Sequence, residues 1–197
     1  MDIRMFWDRI SFMYDNLESF NNKANKEMTR ICASHLEDQD KVLECACGTG
    51  IITSVMAPNC RQIVATDFSP NMLDEARKKL RGRNNVFFEE GDITNLKYAD
   101  NSFDKAVAGN VIHLLDEPRK AISELKRVVK PGGLIIIPTY MCDGNRLVNS
   151  MKSVFKRTFN EESYRRFWND MGLKPQYEKP NIPTVCGGAL RTAMSEC

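Results

Sequence analysis

The sequence predicts an α/β fold: a doubly wound, mostly parallel sheet with helices on both faces and an antiparallel edge near the C-terminus. Three observations predict it. From Lys41 to Pro138, short apolar runs alternate with helical patterns, and such alternation implies crossover units and parallel pairing. The run Leu134 to Pro138 is continuously apolar, as befits a strand covered on both faces. Two extended runs, Lys174 to Glu178 and Thr184 to Thr192, follow the last helical pattern. A hairpin there gives the sheet its antiparallel edge.

The elements follow in order. Phe6, Ile10, Met13, Tyr14 and Leu17 share one face at helical spacing, and Met28, Ile31, Cys32 and His35-Leu36 form a second such pattern. Asp38-Gln39-Asp40 breaks it, and Lys41-Val42-Leu43 begins the first strand. Arg61 to Thr66 reads as the second. Ser69 then serves as N-cap with Pro70 at the first helical position, and Met72, Leu73, Ala76 and Leu80 point inward. Val86 to Glu90 and Phe103 to Ala108 are further strands. Glu117-Pro118 opens a helix whose apolar face is Ile122, Leu125 and Val129, and Pro131-Gly132-Gly133 turns the chain into a fifth strand. Asn160 caps a helix bearing Tyr164, Phe167, Trp168 and Met171, which Gly172 stops. With the two terminal runs the sheet has seven strands.

At 197 residues the chain reads as a single domain. Residues 1–37 form N-terminal helices, 41–138 a binding core, and 139–197 helices and strands on the substrate side. A net charge of +2 offers no basic face for nucleic acid. The basic stretch from Arg119 to Arg127 is interrupted by Glu124 and reads as a solvated helix face. No apolar run of about 18 residues spans a membrane, and no secretory signal opens the chain. Seven cysteines without framework spacing suggest a reducing cytoplasm.

The chemistry concentrates in "LECACGTGII", Leu43 to Ile52. Gly48 and Gly50 follow the first strand, where sheets of this kind bind ligands, and a residue without a Cβ lets backbone and ligand approach. A dinucleotide site would want a third small residue at position 53, where this chain has Thr53. Glu44 would repel a pyrophosphate but suits a ligand bearing an ammonium or sulfonium charge. Asp67 ends the second strand, placed to accept both hydroxyls of a ribose. The alternative, that Asp67 merely caps the next helix, is already served by Ser69. Asp92, in "EEGDITNL", is placed to accept a hydrogen bond from an exocyclic amine, or else is an ordinary turn aspartate.

Together these residues resemble the class I S-adenosylmethionine-dependent methyltransferases. "LECACGTG" matches the family's acidic residue and glycine-rich loop, with Ala46 in place of the first glycine and Cys47 at a usual Cys or Ser position. "TDFSPNML" resembles its ribose motif, "EEGDITNL" its adenine motif, "NSFDKAVAGNVIHLLDEP" its fourth strand and exit loop, and "LKRVVKPGGLIII" the helix, turn and fifth strand. The resemblance covers roughly Phe6 to Ile137. It implies a Rossmann-like sheet, N-terminal lid helices, S-adenosylmethionine as cofactor and S-adenosylhomocysteine as product. It assigns cofactor contacts to Tyr14, Glu44, Ala46, Cys47, Gly48, Gly50, Asp67, Phe68, Met72, Gly91, Asp92, Ile93 and Asn110.

The donor methyl is intrinsically transferable, so positioning is the main task, and a general base is needed only for a protonated acceptor. His113 is the candidate base, or else a packed structural histidine. Tyr140, Phe155, Tyr164 and Trp168 are candidate pocket walls. The loop Ala108-Gly109-Asn110-Val111 is not Asn-Pro-Pro-Tyr, which disfavours amino-methylation of bases or glutamine and favours a small-molecule acceptor. "FWDRISFMYDNL" with the core motifs is similar to the quinone-biosynthesis C-methyltransferases and their small-molecule relatives. A non-catalytic cofactor-binding module or partner subunit is the alternative, and an NAD-dependent oxidoreductase a distant one. Cys45 and Cys47 lack any second pair at zinc spacing, so no metal is expected: Cys45 reads as core and Cys47 as a small loop residue.

Overall fold

The structure, a computed structural model, describes residues 3–18, 22–140, 157, 159–171, 176–178 and 190–197. Two helices, α1 (Ile3–Glu18) and α2 (Asn22–Ser34), precede β1 (Lys41–Cys45), α3 (Ile51–Met56), a 3-10 turn (Ala57–Asn59) and β2 (Gln62–Asp67). Then come α4 (Pro70–Lys79), β3 (Val86–Glu90), β4 (Phe103–Val107), α5 (Pro118–Val128) and β5 (Val129–Tyr140). The last described elements are α6 (Glu161–Asp170), β6 (Gln176–Glu178) and β7 (Leu190–Glu196).

The strands lie in the order β3-β2-β1-β4-β5-β7-β6. The first five pair in parallel, and β7 runs antiparallel to both β5 and β6. The order reverses between β1 and β4, so the loop after β1 opens at the switch point, where ligands of such sheets bind. Alternation along each strand feeds two cores. Leu43 and Cys45 of β1, with Ile135 and Ile137 of β5, face one cluster, while Val42 and Ile136 face the other. This is why the strand sequences are apolar at successive positions.

Two elements depart from the sequence reading. Pro131-Gly132-Gly133 lies inside β5 as a bulge: Phe103 pairs with Val129, and Lys105 with Leu134. The glycines also hold the chain end, since the Gly132 amide donates to the Cys197 carbonyl at 2.8 Å and the Cys197 amide to the Gly133 carbonyl at 3.0 Å. The last strand runs Leu190–Glu196, further along than Thr184 to Thr192; residues 179–189 and Gly172 lie outside the described residues. Helix caps match their sequence signals. The Ser69 hydroxyl accepts the Met72 amide at 3.2 Å, and Asn160 forms a capping box with Ser163.

Gly50 proves to be a packing residue. It caps α3 with φ 78°, and a Cβ there would lie 2.7 Å from Leu80 Cδ1 and 3.2 Å from Ala76 Cβ. Strain and overpacking combine, so Gly50→Ala should cost about 2–4 kcal/mol, read as a lowered urea midpoint. An unchanged midpoint would show that α4 does not press on this turn.

Candidate active site

The site forms where four strand ends converge. After β1 the chain turns sharply: Ala46 has φ 55° and Gly48 φ 54°. The Cys47 amide donates to the Thr66 carbonyl at 2.9 Å, which keeps this turn against the end of β2. Asp67 then binds both flanking loops. Its Oδ2 accepts the Gly48 amide and its Oδ1 the Ser69 amide, each at 2.9 Å. The third loop joins through the Gly91 amide, which donates to the Asp67 carbonyl at 3.0 Å. Burial raises the Asp67 carboxyl above its usual range, and the amides of Ser69 and Gly48 oppose that rise. After β4, Asn110 takes φ 51° while its amide donates to the Pro138 carbonyl at 2.9 Å.

A cleft of two adjoining chambers opens over these turns, with Ala46 and Phe68 common to both. The first is bounded by Gly48, Asp67, Met72, Gly109 and Asn110, with Trp7, Val111 and Leu114 completing its wall. The second is bounded by Gly91, Asp92, Ile93 and Thr94, with Arg4, Glu90, Asp116 and Glu117 at its margin. Asp92 Oδ1 accepts the Thr94 amide and hydroxyl, both at 2.8 Å. Helix α1 crosses the cleft and is tied down at two points. Arg4 pairs with Glu90 at 2.5 Å, and the Ser69 hydroxyl donates to Asp8 Oδ1.

The cleft thus gathers Ala46, Gly48, Asp67, Phe68, Met72, Gly91, Asp92, Ile93 and Asn110 as the sequence led us to expect. Other expected residues stand elsewhere. Glu44, Cys47 and Gly50 are absent from the lining. Glu44 is 1% exposed and takes the Thr53 hydroxyl on Oε2 at 2.6 Å, while Oε1 has no partner among the described residues. Position 53 therefore needs a hydroxyl for this carboxyl, which reading it only as a missing small residue overlooked. His113 is also absent from the lining, and burial lowers its imidazole to about 4. Its neighbour Leu114 faces the cleft instead, so the packed alternative fits this histidine better.

Tyr164 and Trp168 are each 1% exposed, in the core rather than the cleft wall. The side chains of Tyr14 and Tyr140, and Phe155 altogether, lie outside the described residues. Burial raises the Cys45 thiol to about 12 and the Cys47 thiol well above its usual value. No metal-ligating group occurs among the described residues. Sequence reasoning missed Arg4, Trp7, Glu90, Gly109 and Leu114. Only the spacing of Arg4, Trp7 and Asp8 at i, i+3 and i+4 marked the first two, as one face of α1.

Glu44 yields a pH prediction. Burial pushes its carboxyl up from 4.5 to about 8, the Thr53 hydroxyl opposes the rise, and Asp67 adds to it. Between those values the folded chain holds a proton that the unfolded chain has lost, so stability falls as pH rises. In Glu44→Gln this loss disappears. Relative to wild type, the variant should gain stability from about pH 5 to about pH 8, by at most about 1.4 kcal/mol per pH unit. Urea melts at several pH values measure it; a pH-independent difference would mean that Glu44 is ionised when folded.

Comparison with known proteins places this geometry. Residues 43–137 match the methyltransferase domain family. A demethylmenaquinone methyltransferase of Clavibacter sepedonicus is 33% identical over 138 residues, 68% of this chain and 56% of that protein. The chain spans little more than half the length of the curated relatives it matches. Among solved structures, a chain of the Haloferax volcanii complex of the Trm112 methyltransferase activator with a methyltransferase superposes with TM-score 0.81 at 17% identity, over 97% of this chain and 98% of that one. The [4+2]-cyclase SpnF superposes with TM-score 0.80 at 19% identity, over 100% and 97%. Residues 43–137 thus carry a methyltransferase domain, and the methyltransferases among the relatives and structural neighbours support assignment to the class I S-adenosylmethionine-dependent methyltransferases.

Proposed function

We propose that this chain transfers the methyl group of S-adenosylmethionine to a small, quinol-like acceptor. The observation that carries the reading is the division of the cleft. One chamber ends at Asp92, and the other is bounded by Gly48, Asp67 and Asn110. The fit is chemical. Asp92 Oδ2 has an acceptor position left for an exocyclic amine, because both local donors use Oδ1. Asp67 already holds two amides, yet each oxygen keeps lone-pair capacity for a ribose hydroxyl. Gly48 meets no atom within 4 Å of a would-be Cβ, so its backbone is open to a ligand.

When bound, the cofactor supplies an electrophilic methyl group. The chain's own work is to hold and shield it. Trp7, Val111 and Leu114 exclude water from the first chamber, and Asn110, fixed by the hydrogen bond from its backbone amide to the Pro138 carbonyl, lines it with them. Among the described residues, Asp67 is the sole titratable side chain lining that chamber, and its oxygens serve the loop amides and the ribose rather than the acceptor. The chamber therefore suits an acceptor that arrives with its lone pair or carbanionic carbon available, so that alignment does the work. An apolar wall favours an aromatic acceptor, in keeping with the quinone substrate named for the relatives. In this reading α1 and α2 form the lid, and the antiparallel β6 and β7 complete a seven-stranded sheet on the acceptor side. A small-molecule acceptor leaves no role for nucleic acid.

A second reading has one specific support. The superposition on a [4+2]-cyclase shows that this fold also carries other chemistry, and a chamber with no His or Lys among its described lining residues would equally suit a cofactor-binding module without methyl transfer.

Incubation with methyl-labelled S-adenosylmethionine and a panel of quinols, phenols, amines and thiols separates the two. Label should appear in a quinol or phenol product. Tight cofactor binding with no labelled acceptor would favour the second reading, and no binding would overturn both. Asp92→Asn should weaken cofactor binding about tenfold, the scale of one lost bond to a charged group. Asp92 is exposed, so the melting temperature should stay unchanged; full affinity in this variant would remove Asp92 from the adenine site.

A further inference from the structure

Among the described residues, the first chamber has no Lys, Arg or His in its lining. Its lining joins Trp7 of α1 to the strand-end turns that hold Gly48 and Gly109. A trialkyl sulfonium has no N–H or O–H to donate, so hydrogen bonding cannot recognise its charge. A carboxylate can, but in the reading above the Asp67 oxygens serve the amides of Gly48 and Ser69, at 2.9 Å each, and the ribose hydroxyls. An indole face, with its negative quadrupole, attracts a diffuse cation of this kind.

Trp7 is also held in place. Arg4, one turn before it, pairs with Glu90 at the end of β3, and Asp8 accepts from Ser69 at the cap of α4. The Asn71 side chain further donates to the Asp8 carbonyl at 3.2 Å. Residues at i, i+3 and i+4 share a helix face, so the two anchors aim the face that carries the indole.

We propose that Trp7 is a specificity-determining residue that reads the positive charge of the methyl donor and so favours the charged donor over its neutral product. The proposal rests on the cofactor reading above. Its consequence is directional. Sulfur loses its charge as the methyl departs, so the contact strengthens the ground state more than the transition state. The spent cofactor then leaves a chamber that no longer attracts it.

The test titrates wild type, Trp7→Phe and Trp7→Leu with S-adenosylmethionine and with S-adenosylhomocysteine. Trp7→Leu should bind the sulfonium about five- to thirtyfold more weakly, with the thioether changed by less than about threefold. Trp7→Phe, which keeps a ring, should fall between wild type and Trp7→Leu. KM for the donor should rise in Trp7→Leu while kcat is not reduced. Equal loss for both ligands would make Trp7 a packing wall and overturn the proposal, as would no loss for either. Failure of wild type to bind both ligands would instead remove the cofactor reading itself.

A measurement on the native chain stands beside the variants. The chain has two tryptophans, and Trp168 is 1% exposed in the core. Subtracting the Trp7→Phe emission isolates the Trp7 signal, which should respond more strongly to the sulfonium than to the thioether. An equal response to the two would overturn the proposal even if Trp7→Leu does not fold.

Discussion

One buried carboxylate organises the ends of three strands. Asp67 receives the Gly48 amide on one oxygen and the Ser69 amide on the other, while its carbonyl accepts Gly91. A single side chain at the tip of β2 thereby positions the loop after β1, the cap of α4 and the loop after β3. Burying a carboxylate is expensive without such donors, and here burial raises its pKa while the amides oppose the rise. The neighbouring Glu44 follows the opposite course. With one hydroxyl partner among the described residues and burial as the dominant cause, it is pushed up to about 8. Two carboxyls at adjacent strand ends thus divide their labour, one fixing loops through backbone amides and the other packing against the Thr53 hydroxyl.

Backbone strain marks the same place. Ala46 and Asn110 both adopt positive φ, which costs a non-glycine residue about 1–2 kcal/mol. They stand at the ends of β1 and β4, the pair that flanks the switch in strand order. Ala46 replaces the glycine expected of its family and places a Cβ where the two chambers meet. Strain kept at a ligand cleft, where the surrounding hydrogen bonds over-determine the turn, is the usual location for it.

The core of the fold was legible because its signals are local. Continuous apolar runs gave the buried strands, and Ser69 and Asn160 gave helix starts through caps that the structure contains. The bulge at Pro131-Gly132-Gly133 was not legible, since its pairing with Phe103 and Cys197 is set by distant chain. The site divides in the same way. Residues on the strand-end loops were readable from order and spacing, because topology alone brings those loops together. Trp7 and Arg4 were not, because their placement depends on Asp8 and Glu90 finding partners more than sixty residues away. Glu44 misled for a related reason. Its charge state depends on burial and on Thr53, which the linear order does not display.

The claim that Asp67 couples loop geometry to ligand binding has a direct measurement. Asp67→Asn puts a donor where one of two backbone amides needs an acceptor, at nearly unchanged volume. Calorimetric titration with the neutral S-adenosylhomocysteine excludes any effect of sulfonium charge. The account predicts affinity lowered at least about tenfold, together with a melting temperature lowered by several degrees. Wild-type affinity in a destabilised variant would contradict it, since the clamp would then serve the fold and not the ligand.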